Sequence, residues 1–363
     1  MKYARYRASV QTHQALRRPC RPPVSVVVVP DAGAQRRAEI EQELLLARDI
    51  QQGLLLEAVP RLPGWEISAV SLPARDLGGD LYDFLALGGA WRGIMIGDVS
   101  GKGLPAALRM AVARTVFRHD ARRGDGPAAT LAAVNRSVIS EIPQGMITML
   151  YALLDTQAGV LRFANAGHNY PVIVNGTVDE IELSGMPLGV DGDSEYNEAC
   201  TVIAPGTLVL LYTDGVVEAE DARGELYGYE RLTALLADHA PARPRTLVAR
   251  LLQELRSWNG GGQADDVTLV ALRRRLASPA AELRTITDEV LGVMRAHELW
   301  GALVLPGAGA TGEDWAAAVP EIGAVAQARF GRGLGRDLLA QLRDAVEDYR
   351  DPGPVGQPAD QAL

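Results

Sequence analysis

The sequence predicts an α+β fold: two largely antiparallel sheets flanked by helices, with a linker helix before them and a helical extension after them. Three observations carry this. Runs rich in Val, Ile, Leu and Tyr, each bounded by Gly, Asn, Asp or Pro, recur between residues 65 and 273. A pair of helical patterns interrupts them after "IGDVSGKGLPAAL" at residues 96–108, and strands then resume, which does not read as a βαβ repeat. After Arg273-Arg274-Arg275 the strand pattern stops and helical spacing takes over.

The chain has 363 residues, enough for two domains or one large domain with appendages. Its 47% hydrophobic and 22% charged residues fit a soluble protein with a real core. A formal net charge of −9 argues against non-specific nucleic-acid binding. Cys20 and Cys200 stand far apart and without a CxxC partner, which argues against a disulfide framework or zinc knuckle and suits a reducing cytoplasm. The best candidate near the start, "VSVVVV" at residues 24–29, falls far short of the ~18 residues of a membrane span. No membrane span is expected, and the location expected is cytoplasmic.

Lys2, Arg5, Arg7, Arg17, Arg18 and Arg21 precede the first acid, Asp31, so residues 1–37 read as a basic, disordered leader. A linker helix is assigned to residues 38–60. Within residues 36–56, Ile40, Leu44, Ala47, Gln51 and Leu54 recur at spacings of three and four. It reads as an ordinary packed helix or as a connecting or dimerising one, and Gln51 interrupts its stripe.

The main domain is assigned to residues 61–275. Expected strands are "WEISAV", "WRGIMIGD", "MITMLYALLD", "VLRFANA", "YPVIVN", "TVDEIEL", "TLVLLYTD" and "VTLVALR". Asn175-Gly176 marks a hairpin. In the first interrupting helix Pro105 sits early, where its missing N–H costs nothing, and Leu104, Leu108, Ala111, Val112, Thr115 and Val116 line one face. The second, from Pro127, lines up Leu131, Val134 and Val138. "YERLTALLADH" and "RTLVARLLQELRSW" give two more helices. Residues 276–350 form the helical extension: Leu283, Ile286, Val290, Val293 and His297 fit one helix, and Leu338, Leu342, Ala345 and Tyr349 another. Residues 351–363 are expected to be disordered.

Chemistry concentrates in acids beside glycine turns. "GDVSGKG" lacks the Ser or Thr that must follow the lysine of a P-loop, and it offers Asp98, which repels phosphate but suits a cation. Asp80 and Asp83 in "GGDLYD" precede the next strand, Asp214 ends "LVLLYTD", and Asp265 and Asp266 open "VTLVALR". Singly, each reads as a common turn residue. Brought to one rim they cannot coexist bare, since two unit charges 4 Å apart repel by ~4 kcal/mol at an effective dielectric near 20. All-oxygen donors without a His/Cys set point to magnesium or manganese rather than zinc.

The motifs "PARDLGGDLYDF", "IGDVSGKGLPAAL", "ANAGHNYPVIV", "PLGV", "LLYTDGVVEAED", "YG" and "GGGQADDVTLVALR" appear in an order that resembles the SpoIIE/RsbU-type branch of the PPM (metal-dependent) protein serine/threonine phosphatases. The resemblance spans about residues 39–273. It implies an αββα sandwich carrying two Mn2+ or Mg2+ ions on one rim. It implies that Asp98, helped by the carbonyl of Val99, bridges the ions and that Asp80, Asp214 and Asp265 complete the catalytic set. Asp265 is favoured over Asp266 because the family's Asp-x-x-Thr pattern then ends on Thr268. The resemblance further implies attack of a metal-activated water on phosphorus, without a phosphoenzyme. Arg75, five residues before Asp80, is a candidate phosphate-binding residue. His168 is read as structural. Lys102 is one of only two lysines, the other being Lys2, which suggests a local role such as contacting a loop carbonyl.

By resemblance the substrate is phosphoserine or phosphothreonine on a regulatory protein such as a STAS-type anti-sigma-factor antagonist, placing the enzyme in stress signalling and sigma-factor regulation. Expected partners are that phosphoprotein, an activator or sensor acting on the linker helix, and a second copy in a homodimer. Two other readings stand beside this one: an inactive phosphatase fold used as a binding module, and a hydrolase of small phosphate esters.

Overall fold

The computed structural model describes residues 32–54, 59–142, 145–238, 242–307 and 309–350. Most of the basic leader and all of the tail at 351–363 lie outside the described residues, and residues 32–37 already belong to a helix. The chain divides into two units, residues 1–42 and 43–363. Helix α1 (Ala32–Leu54) contributes to both, and everything that follows belongs to the second.

Among the described residues, ten strands build two five-stranded sheets. One holds β1 (Trp65–Leu72), β10 (Val267–Arg274), β9 (Leu208–Tyr212), β6 (Val172–Val174) and β7 (Val178–Glu180), in that order. The other holds β2 (Leu81–Ala86), β3 (Trp91–Val99), β4 (Ile147–Asp155), β5 (Val160–Ala166) and β8 (Glu198–Val202). Every pairing is antiparallel.

The period of two along each strand sorts side chains between layers. On β3, Ile94 and Ile96 enter a core shared between the sheets, with Phe163, Val209, Leu211 and Val270. Met95 and Val99 face the other way, onto α2 (Leu104–Ala121) and α3 (Pro127–Glu141), where Met110, Phe117, Leu131 and Val134 are buried. Leu210 and Tyr212 of β9 face α4 (Gly228–Asp238) and α5 (Pro244–Trp258). The result is helix–sheet–sheet–helix, an αββα sandwich.

The structure changes several expectations. Two strands escaped the sequence reading. β2 is one, so Asp83, expected just before a strand, lies within one. β8 is an edge strand whose residues alternate exposed and half-buried. The apolar face expected on α2 points outward: Leu104, Leu108 and Val112 are exposed, whereas Ala106, Ala107, Met110, Ala113 and Phe117 are buried. The inner face packs on Met95 and Val99 of β3 through Met110, Ala113 and Phe117.

The extension folds around its own core of Leu283, Ile286, Trp300, Trp315, Ile322, Leu338 and Leu342. It comprises α6 (Pro279–Leu291), α7 (Val293–Gly301), α8 (Gly312–Phe330) and α9 (Arg332–Glu347). The single helix expected from Leu283 to His297 is two, broken at Gly292, where φ is +81°. α8 was hidden by its Gly-Ala composition. A bidentate ion pair joins this unit to the sandwich: Arg273 at the end of β10 donates to both carboxylate oxygens of Glu282, at 2.9 and 3.1 Å, and all of it is buried.

Candidate active site

Asp98 shares the strand parity of Ile94 and Ile96, so at the end of β3 it points toward the opposite sheet. There Asp214 follows β9 and Asp265-Asp266 precede β10, adjacent strands of that sheet. Asp80 comes in from the loop before β2, the partner of β3. Antiparallel pairing thus brings strand ends from distant sequence to one rim.

The electrostatics record the crowding. Asp98 is pushed up to about 7, by burial first and then by Asp214, Asp265 and Asp266; its hydrogen bond with Asp80 opposes them. Asp80 is held well above the ordinary carboxylate range, by burial first and by Asp98 next. Asp214 is raised too, by burial and then by Asp265.

Hydrogen bonds fix the frame. Thr213 Oγ1 donates to Asp80 Oδ2 at 2.8 Å and accepts from the Thr268 amide at 2.9 Å. Asp266 accepts from the amides of Ala74 and Gly79 at 2.7 and 2.6 Å and is buried. Of the acid pair, Asp266 holds the 74–80 loop, while the half-buried Asp265 faces the opening and pairs with Lys102 at 2.9 Å. Gly78 and Gly79 let that loop come close. A Cβ on Gly79 would stand 2.6 Å from the Val99 carbonyl oxygen and 3.3 Å from Asp98 Oδ1.

Other expected residues divide. Lys102 does contact a loop carbonyl, that of Ala264, at 2.7 Å. Arg75 is exposed on the 73–80 loop. Asp83 lies apart from the rim acids' roles: it is buried on β2 and paired with Arg114 and Arg118 of α2. His168 is buried, bonded through Nδ1 to Thr148, and lowered by burial to about 4, so it is neutral near pH 7. Its Nε2 has no hydrogen-bond partner.

The sequence reading missed Gln51. This buried residue of α1 donates to the Gly78 carbonyl and accepts from its amide. The signal was present: a polar residue at a helix position whose periodicity demanded an apolar one.

Among the described residues no group of three or more His, Cys, Asp or Glu side chains is arranged to hold a single metal ion. The donors nonetheless suit hard divalent cations. All are oxygens, and Mg2+ in particular is held by one or two carboxylates with water completing its shell. The Gly79 cradle keeps the space beside Asp98 Oδ1 and the Val99 carbonyl free of side chain. No helix of the described residues is long and apolar enough to cross a membrane.

Two face-to-face antiparallel sheets, helices on both outer faces and a rim of acids define the PPM class of protein serine/threonine phosphatases. The family model for Stage II sporulation protein E (SpoIIE) matches residues 90–275, more than half of the chain. Phosphoserine phosphatase RsbU of Bacillus subtilis is 31% identical over 242 residues, covering 66% of this chain and 72% of that protein. This chain belongs to the SpoIIE family, in its RsbU-type branch. The SiaA-PP2C domain of Pseudomonas aeruginosa shares the fold, with a TM-score of 0.61 and 24% identity over 67% of this chain and 99% of that one. The crystal structure of the RsbU and RsbW domains of Rv1364c from Mycobacterium tuberculosis gives a TM-score of 0.55 and 27% identity, over 77% of this chain and 79% of that one. The family match includes Asp98, Val99, Asp214 and Asp265; Asp80 and Arg75 precede it.

Proposed function

We propose that this protein hydrolyses phosphoserine or phosphothreonine on a regulatory protein, a STAS-type anti-sigma-factor antagonist being the leading candidate, with Mn2+ or Mg2+ bound at the acidic rim. One observation carries the reading. Acids from four separate strand ends crowd one another: Asp214, Asp265 and Asp266 act on Asp98, and Asp98 acts on Asp80. A fold that keeps such a cluster half-open to solvent is built to receive cations rather than to avoid charge. The 31% identity to a protein named as a phosphoserine phosphatase supports the reaction class.

Asp98 with the Val99 carbonyl, Asp80, Asp214 and Asp265 would hold two ions. Bound there, divalent ions polarise a phosphoryl oxygen and lower the pKa of a water. The chain's own residues supply the rest. Thr213 orients Asp80, Asp266 fixes the loop that carries it, and Arg75 stands exposed on that loop to meet the phosphate. No side-chain nucleophile is required, and His168, buried against Thr148, serves the frame.

The test is hydrolysis of an aryl phosphate and of a phosphorylated STAS protein in Mn2+, beside Asp98→Asn and Asp214→Asn. We expect turnover in the parent, loss with chelator and near-complete loss in both variants. Undiminished turnover in Asp98→Asn would remove the reading.

A further inference from the structure

Lys102 lies on the loop between the acid that ends β3 and the first turn of α2. Its Nζ donates to Asp265 Oδ2 at 2.9 Å and to the Ala264 carbonyl at 2.7 Å. The two side chains are 38% and 41% exposed, so this pair is open to water. The neighbours of Lys102 are glycines. Gly101 and Gly103 both have positive φ, at 102° and 74°, and a Cβ on Gly103 would meet nothing within 4 Å. The lysine stem therefore has room to swing, and a half-exposed lysine pair costs little to break.

The pair also occupies an oxygen that the proposed function gives to a divalent ion. A dication bound to that carboxylate repels an ammonium a few ångströms away and so weakens the pair. Displaced by a few ångströms, the ammonium remains at the mouth of the site, beside the place where a phosphoryl dianion would arrive.

We propose that Lys102 is an exchangeable counter-ion. It neutralises Asp265 while the rim holds no ion there, and when a divalent cation takes that carboxylate its ammonium turns to the phosphoryl oxygens of the substrate. Lys102 is then a substrate-binding residue in the loaded enzyme and a competitor of the metal in the empty one. The inference rests on the rim being a metal-dependent phosphatase site.

The experiment is calorimetric titration of the full chain, without substrate, for the parent, Lys102→Met and Lys102→Arg. Thermal unfolding in chelator verifies that each is folded. Lys102→Met should bind Mn2+ roughly fivefold more tightly, because no ammonium has to leave. The same variant, loaded with Mn2+, should bind inorganic phosphate about tenfold more weakly, having lost a charge-assisted contact. Lys102→Arg should return both affinities toward the parent. Unchanged or weaker Mn2+ binding in Lys102→Met, or unchanged phosphate binding, overturns the proposal and leaves the lysine as a loop tie. A parent that binds no Mn2+ removes the metal reading itself, a result distinct from either.

Discussion

Gln51 and Gly78, 27 residues apart, exchange two hydrogen bonds: the Gln51 amide donates to the Gly78 carbonyl at 2.7 Å, and its oxygen accepts from the Gly78 amide at 3.3 Å. Gly78 is two residues from Asp80, so the helix before the sandwich grips the loop that carries a rim acid. Gln51→Leu leaves both backbone groups of Gly78 buried without partners, at a cost of ~1–3 kcal/mol each. We expect a lower unfolding temperature and a higher Mn2+ concentration for half-maximal hydrolysis. A lower unfolding temperature with an unaltered Mn2+ requirement would mean that Asp266 alone positions the loop.

Asp265 and Asp266 are adjacent in sequence and divide the work. Asp266→Asn removes the charge and turns one of its two oxygens, each accepting a backbone amide, into an NH2 facing that donor, and charged hydrogen bonds of this kind are worth ~1.5–3 kcal/mol each. Asp265→Asn gives up only a half-exposed pair with Lys102, worth at most ~1 kcal/mol. In chelator, thermal unfolding should therefore separate the two: Asp266→Asn loses several degrees and Asp265→Asn almost none. Calorimetry should then find weakened Mn2+ binding in Asp265→Asn despite its intact stability. Equal destabilisation by both would erase the division of labour.

Glu282 is fully buried between Arg273 and Arg275. Burial alone would raise its pKa, but the two guanidiniums outweigh it and hold the carboxyl below its usual range. A lowered folded-state value means stability that is complete above the unfolded pKa, ~4.3, and is lost as pH falls through the folded one. Glu282→Ala takes from Arg273 its bidentate partner, leaving Glu66 at 3.8 Å, while Arg275 keeps Asp344 and Asp348; the loss at pH 7 should be ~3 kcal/mol. Urea unfolding of parent and variant at pH 7 and at pH 3 checks both statements: the gap between them should shrink in acid. A gap that is small at pH 7 would show the helical extension to be loosely attached.

The motifs, most strands and the acids of the rim were legible in the sequence because each is a local event. Alternation marks a strand, Asn-Gly marks a hairpin, and an Asp between an apolar run and a glycine marks a strand end. β2 and β8 were not legible, since one is short and carries an acid inside it and the other is a polar edge. Nor was the inner face of α2. Its period allowed two stripes, and only the packing of the helix on the sheet selected Ala106, Met110 and Ala113 over Leu104 and Leu108.

The sequence by itself determined which residues could carry the chemistry: Asp80, Asp98, Asp214 and an Asp-Asp pair, each fixed at a strand end by local pattern. Only the tertiary structure decided how they differ. It set Asp266 on backbone amides and Asp265 against Lys102, and it joined Gln51 to the loop before Asp80. Those assignments depend on contacts between segments up to 192 residues apart, formed when antiparallel pairing closes the two sheets, and no local spacing encodes them.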